Sequence, residues 1–193
     1  MPGFHSRGVV YLGARKYFDR CVPGGSEAVG AALDRDLAAF WGQIFLAGSM
    51  YEALPIVEVS RVASELAGLS HRELVRRTAE WLAERDIRGV YKVLFGVLSP
   101  ESVAVRLARV ALRYFDFGEA SATMVGERVC RAEQRSLPQP MSAWFSDCVT
   151  GFVPKALTLA GARDPEVKHL GAVKDGELRR VQTVTLRYEF VWR

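Results

Sequence analysis

The chain is poor in the residues that usually mark chemistry. Its 193 residues include three cysteines and three histidines. Cys21, Cys130 and Cys148 are an odd number at wide spacings, with no C-x-x-C, so neither a zinc knuckle nor a redox pair is indicated. They read as small buried hydrophobes in a reducing compartment. Catalytic signatures are missing too: there is no G-x-S-x-G, H-E-x-x-H, P-loop or dinucleotide fingerprint. Asp116-Phe117-Gly118 spells D-F-G, but the kinase H-R-D loop and strand lysine are absent. Asp147 and Cys148, with His169 further on, do not make a nucleophile set on spacing alone. No enzymatic role is expected.

Long apolar runs are also lacking. Charges break each one well short of the ~18 residues that a membrane helix needs. MPGFHSRGVVYLGARK holds an apolar patch of a few residues, and neither a secretion signal nor a lipidation motif is evident. The expectation is a cytoplasmic protein with no membrane span. No repeat, low-complexity tract or Pro/Gly/Ser-rich linker divides the chain, and the length suits one domain over 1–193.

What is present is a large apolar fraction, 49%, beside 25% charged residues, enough for a core and too apolar for wholesale disorder. The net charge of +4 comes mostly from arginines scattered among 22 acids. The densest groups are at 72–77 and at Arg179-Arg180. No basic stripe with aromatic platforms appears, so a nucleic-acid partner is not expected.

Periodicity divides the chain into elements. Gly8–Gly13 (GVVYLG) reads as a first strand and Ala14–Asp19 as a helix, interrupted at Val22–Ser26. Ser26 with Glu27 starts a second helical segment. Residues 37–47, LAAFWGQIFLA, are apolar enough to be packed all round. Pro55 opens a helix with Val59, Val62, Ala63 and Leu66 on one face, closed by Gly68. Ser70 and Glu73 form a capping box for the next helix, with Leu74, Thr78, Trp81 and Leu82 inward and His71 on the surface. Ser99-Pro100-Glu101 starts a helix over 102–116, striped by Val103, Leu107, Val110 and Tyr114. Gly118 ends it.

From Ala122 to Gln134 the period becomes two, which predicts a strand, with Gly126 marking a bulge or a close backbone approach. Ser142 caps a helix over 142–160 that Pro154 should bend or divide near Gly151. The tail predicts a hairpin turning at Asp175-Gly176. Its last strand turns Gln182, Val184, Leu186, Tyr188, Phe190 and Trp192 to the core. The order is not βαβ. It predicts an α+β fold, a helical bundle packed on a small antiparallel sheet.

The segments SMYEALPIVEVSRVASELAG, GVYKVLF, LARVALRYFDFGEASATMVGERVCRAEQ and GARDPEVKHLGAVKDGELRRVQTVTLRYEFVW resemble a myxobacterial paralogous family of about this size. That family is distantly similar to 4-vinyl reductase-type ligand-binding domains, to heme NO-binding domains and to small TRAPP-complex subunits. The resemblance implies a helical layer beside the sheet, with a cavity between them. It also implies either a small hydrophobic ligand, as in the 4-vinyl reductase type, or protein contacts and dimers, as in the TRAPP type. Fold alone does not choose. A heme NO-binding domain needs a histidine as the iron's ligand on the helix running toward the sheet. Here His5, His71 and His169 all fall outside 99–161, so no heme is expected. The closing hairpin carries Asp175 and Glu177 but no cysteine, so no metal is expected there.

The expected role is a non-catalytic ligand-sensing or adaptor domain for a small hydrophobic molecule. Its cavity would lie between the helices 142–160 and 102–116, lined by Tyr114, Trp144, Cys148 and Phe152. The alternative is a structural interaction module, a homodimer or scaffold subunit. Segment 37–47 and the last strand suit an exposed patch as well as a core.

Overall fold

A computed structural model describes residues 3–88 and 99–193. Part of the segment that carries the resemblance, residues 89–95, lies outside them. The run predicted as a strand at 8–13 is the start of a helix, α1 (Gly8–Cys21). Tyr11, Ala14 and Phe18 are buried at helical spacing, a period that a six-residue window was too short to show. The strand lies just before it: β1 (His5–Arg7) pairs antiparallel with β2 (Met50–Glu52). No side chain caps α1. Instead the amides of Gly8 and Val9 donate to the carbonyls of Ser49 (2.8 Å) and Ala47 (3.2 Å).

Next come α2 (Gly25–Ala32) and α3 (Arg35–Gly42), the latter capped by the Asp34 carboxylate, which accepts from the amides of Asp36 and Leu37. Segment 37–47 is therefore not packed all round. The helix stops at Gly42, and the loop beyond it gives its carbonyls to the start of α1. Trp41 and Phe45 are buried, while Ile44 and Leu46 are 84% and 61% exposed.

Helix α4 (Pro55–Leu66) begins at its proline, and α5 (His71–Arg88) at the capping box, where the Glu73 amide donates to Ser70 Oγ (3.2 Å). Helix α6 (Pro100–Ala111) is capped by Ser99 Oγ, which accepts from the Ser102 amide. It stops before the predicted 116 because the following segment serves the amino-terminal strand. Arg7 N donates to Tyr114 O (2.7 Å), and Asp116 N to His5 O (3.1 Å). Gly118 then turns the chain at φ 80°, and a Cβ there would meet the Gln134 side chain and the Arg135 carbonyl.

The predicted strand over 122–134 is two strands, β3 (Glu119–Gly126) and β4 (Val129–Pro138), joined by a two-residue turn at Glu127-Arg128. A tight turn preserves the parity of the alternation, so the pattern hid the reversal. The bulge expected at Gly126 is there, between Met124 and Gly126. After α7 (Ser142–Leu159) come β5 (Glu166–Leu178) and β6 (Val181–Val191), giving an antiparallel sheet in the order β3-β4-β6-β5.

The last hairpin turns at Arg179-Arg180, not at Asp175-Gly176. Both arginines adopt positive φ, 54° and 64°, as a two-residue turn of the primed type demands. Asp175 is occupied elsewhere: its carboxylate accepts from the Ser136 amide and the Thr185 hydroxyl, each at 2.7 Å, and from Thr183. The strained arginine turn is held from outside. Arg179 donates to Gly3 O, pairs with Asp116 at 3.2 Å and covers the Phe4 ring.

Val184, Leu186, Tyr188, Phe190 and Trp192 are buried as predicted, and Gln182, beside the turn, is exposed. Helices α6 and α7 pack on the sheet, and α5 packs on α7. Helix α7 runs unbroken through Pro154. At Gly151, where a bend was predicted, its backbone lies against that of α5: a Cβ would run into the Arg76 carbonyl.

Candidate functional site

The helices border a partly open cavity of about 180 Å³. Its α7 wall carries Trp144, Cys148 and Phe152, spaced by four residues and so stacked on one helical face. Leu107, Val110 and Ala111 of α6 line it too, as do Tyr114 and Phe115 of the segment that follows. All four residues selected from the sequence, Tyr114, Trp144, Cys148 and Phe152, thus lie on this wall.

The remaining wall was not foreseen. Val10, Ala14 and Phe18 of α1 present one face, and Val75, Ala79 and Leu82 of α5 another, with Ile56 and Ser60 of α4. The α1 residues were hidden by reading the first of them as strand. The α5 stripe read from the sequence, Leu74, Thr78, Trp81 and Leu82, shares Thr78 and Leu82 with this wall but not Val75 or Ala79, and periodicity does not say which stripes face empty space.

The lining is almost wholly apolar, and most of its polar groups are internally satisfied. Thr78 Oγ1 donates to the Leu74 carbonyl (2.8 Å), and Ser60 Oγ lies 2.9 Å from the Val57 carbonyl. Ser60 also meets His71 Nε2 at 2.8 Å. His71, expected on the surface, is therefore half-buried behind the wall, and desolvation lowers its pKa. Among the described residues the lining carries one charged pair, beside Tyr114. There Arg85 Nε and Nη2 donate to Asp86 Oδ1 at 2.8 and 2.7 Å, and the Tyr114 hydroxyl donates to Asp86 Oδ2 at 3.4 Å. Arg85 also covers the Trp81 ring at 5.2 Å.

Burial holds the Cys148 thiol well above the usual range, and the neighbouring Asp147 carboxylate adds to this. It is a protonated, inert group, not a thiolate nucleophile or metal ligand. Asp147 itself pairs with Arg72 at 3.2 Å.

Heme does not fit these residues. None of the three histidines lines the cavity: His5 binds Asp116 (2.8 Å), His71 faces Ser60, and His169 on β5 lies against the Tyr188 ring. The Tyr114 hydroxyl points at a carboxylate, which opposes a phenolate ligand. Pockets for drug-sized molecules start at roughly 300 Å³. The volume here is closer to the ~150 Å³ cavity that takes benzene or xenon. Among the described residues, no group of three or more His, Cys, Asp or Glu is placed to hold a metal ion. None of their helices is long and apolar enough to cross a membrane.

No protein-family model matches the chain, and no curated protein matches it. Solved structures do. The chain is similar to a Cs H-NOX mutant carrying 4-cyano-L-phenylalanine at site 5, with 11% identity over 97% of this chain and 96% of that one and a TM-score of 0.74. It is similar to an oxygen-binding H-NOX domain related to soluble guanylate cyclases, solved as the oxygen complex, with 12% identity, 97% and 95% coverage and a TM-score of 0.70. It is similar to a mutant of the H-NOX protein of K. algicida in the unliganded Fe(II) form, with 9% identity, 97% and 96% coverage and a TM-score of 0.67. These likenesses span nearly the whole of both chains and show one thing about this one: its α+β fold is that of the H-NOX domains.

Proposed function

We propose that the chain is a non-catalytic ligand-sensing domain that holds a small hydrophobic molecule in the helical cavity, without heme. The observation that carries this is an apolar cavity of about 180 Å³ in an H-NOX-like fold, with no histidine among the described residues that line it. The oxygen complex and the Fe(II) form belong to the similar proteins. In this chain the same architecture keeps the enclosure and lacks the histidine. Tyr114, Trp144, Cys148 and Phe152 are the proposed contacts, joined by Val10, Ala14 and Leu82. A molecule that fits only the folded state stabilises it by about 2.7 kcal/mol at a hundredfold excess over its Kd. Thermal unfolding across a panel of one-ring and short-chain hydrocarbons, with native mass spectrometry of the purified protein, tests this. Stabilisation by members of the panel is expected. A flat panel and no retained molecule would sink the proposal.

A second reading, a homodimeric or scaffolding module, is favoured by the exposed Ile44 and Leu46 and by Leu170 and Val173 on the outer strand β5. Light scattering separates the two: a monomer at all concentrations removes the homodimer.

A further inference from the structure

The polar end of the cavity points to the chemistry of its ligand. We infer that the site selects a small neutral molecule carrying one hydroxyl group on an apolar body, of the size of phenol, an inference that rests on the ligand-sensing reading above. Three observations converge. Arg85, Asp86 and Tyr114 stand together on a wall that is otherwise almost wholly hydrocarbon, so a ligand is offered hydrogen bonding at one end and dispersion along the rest. Asp86 Oδ1 is held twice by Arg85, whereas Oδ2 takes only the long 3.4 Å bond from Tyr114 among the described residues. O–H···O bonds are ordinarily about 2.7–2.8 Å, and each carboxylate oxygen accepts two. Oδ2 thus has an acceptor site for a ligand donor.

The third observation is charge. Arg85 and Asp86 neutralise each other, and their side chains are 30% and 17% exposed. A ligand carboxylate would bring one uncompensated negative charge into this end, and an ammonium one uncompensated positive charge. Each costs desolvation that nothing here returns. A hydroxyl adds no charge, donates to Asp86 Oδ2 and can accept from the Arg85 guanidinium. The cavity volume limits the apolar body to about one ring.

Titration calorimetry of the purified chain with benzene, phenol, benzoate and benzylamine tests this, alongside the Tyr114→Phe and Asp86→Ala variants, with circular dichroism to verify their folding. Phenol is expected to bind roughly five- to tenfold more tightly than benzene, the increment of one net hydrogen bond, and benzoate and benzylamine more weakly than either. In Asp86→Ala the phenol advantage should vanish while benzene binding is retained, and in Tyr114→Phe, which leaves Oδ2 free of its long bond, it should persist. Equal binding of benzene and phenol would overturn the hydroxyl preference and leave the apolar-ligand reading standing. Tighter binding of benzoate or benzylamine would overturn it in favour of a charged head. No binding by any of the four would overturn both.

Discussion

Helix α1 has two apolar faces with opposite fates. On one, Tyr11 stacks on Phe45 at 4.6 Å and 10° and meets Phe40 edge-on at 5.2 Å, while Phe45 meets Tyr51 at 4.9 Å. The group is tied by polar tips: the Tyr11 hydroxyl donates to the Glu52 carbonyl, and Trp41 Nε1 to the Ser26 carbonyl at 2.9 Å. Arg15 covers Trp41 and Phe45. That face is full. On the other, Val9, Val10, Ala14 and Phe18 border the cavity. The filled face serves stability, and the open face is the one the proposed ligand would meet.

Truncation should separate the two faces most sharply. Phe45→Ala is expected to cost about 3–5 kcal/mol in urea unfolding. Phe152→Ala, on a partly buried cavity residue, should cost about 1–2 kcal/mol. Equal costs would erase the distinction. Gly151→Ala should follow, at about 2–3 kcal/mol, because backbone stands where the methyl group must go. Filling the cavity from α5 works the other way. Ala79→Leu is expected to stabilise the free protein by about 1 kcal/mol and to abolish ligand-dependent stabilisation. Retained stabilisation by ligand would place the binding site elsewhere.

The smallest effect is with pH. His71 sits behind the Ser60 wall, flanked by Asp147, Arg61 and Glu58, and burial lowers its pKa from the ordinary 6.5. Folding therefore favours the neutral ring. Its contribution is whole above pH 6.5 and is lost as pH falls through the lower folded value. His71→Gln should flatten the stability profile in that window, measured by thermal unfolding. Glu73, held at about 2 by Arg76 and Arg77 against an ordinary 4.5, acts in a separate, more acidic window.

Much of the architecture was legible because local chemistry and global fold agree. Pro55, the Ser70–Glu73 box and Ser99-Pro100 each begin a helix where they stand in the sequence. The burial of Leu186, Tyr188 and Phe190 follows their alternation. The misreadings occurred where distant groups override local preference. Asp175 is drawn to Ser136 and to the threonines of β6, so the turn passes to two arginines that Asp116 and Gly3 hold in place. Gly8 opens a helix because a loop some forty residues away supplies its acceptors. Tyr114, Trp144, Cys148 and Phe152 could be grouped from helical spacing and the family resemblance. The Asp86–Arg85 pair could not, since two adjacent opposite charges look like any solvated helix face.

The approach at Gly151 has a consequence for how such a site can diversify. Main chain abuts main chain there, so the spacing between α5 and α7 is fixed as if by a gauge block, and side-chain exchange cannot spread or narrow it. Variation in the proposed guests must then come from lining side chains such as Val10, Ala14 and Ala79, which can grow or shrink without moving a helix.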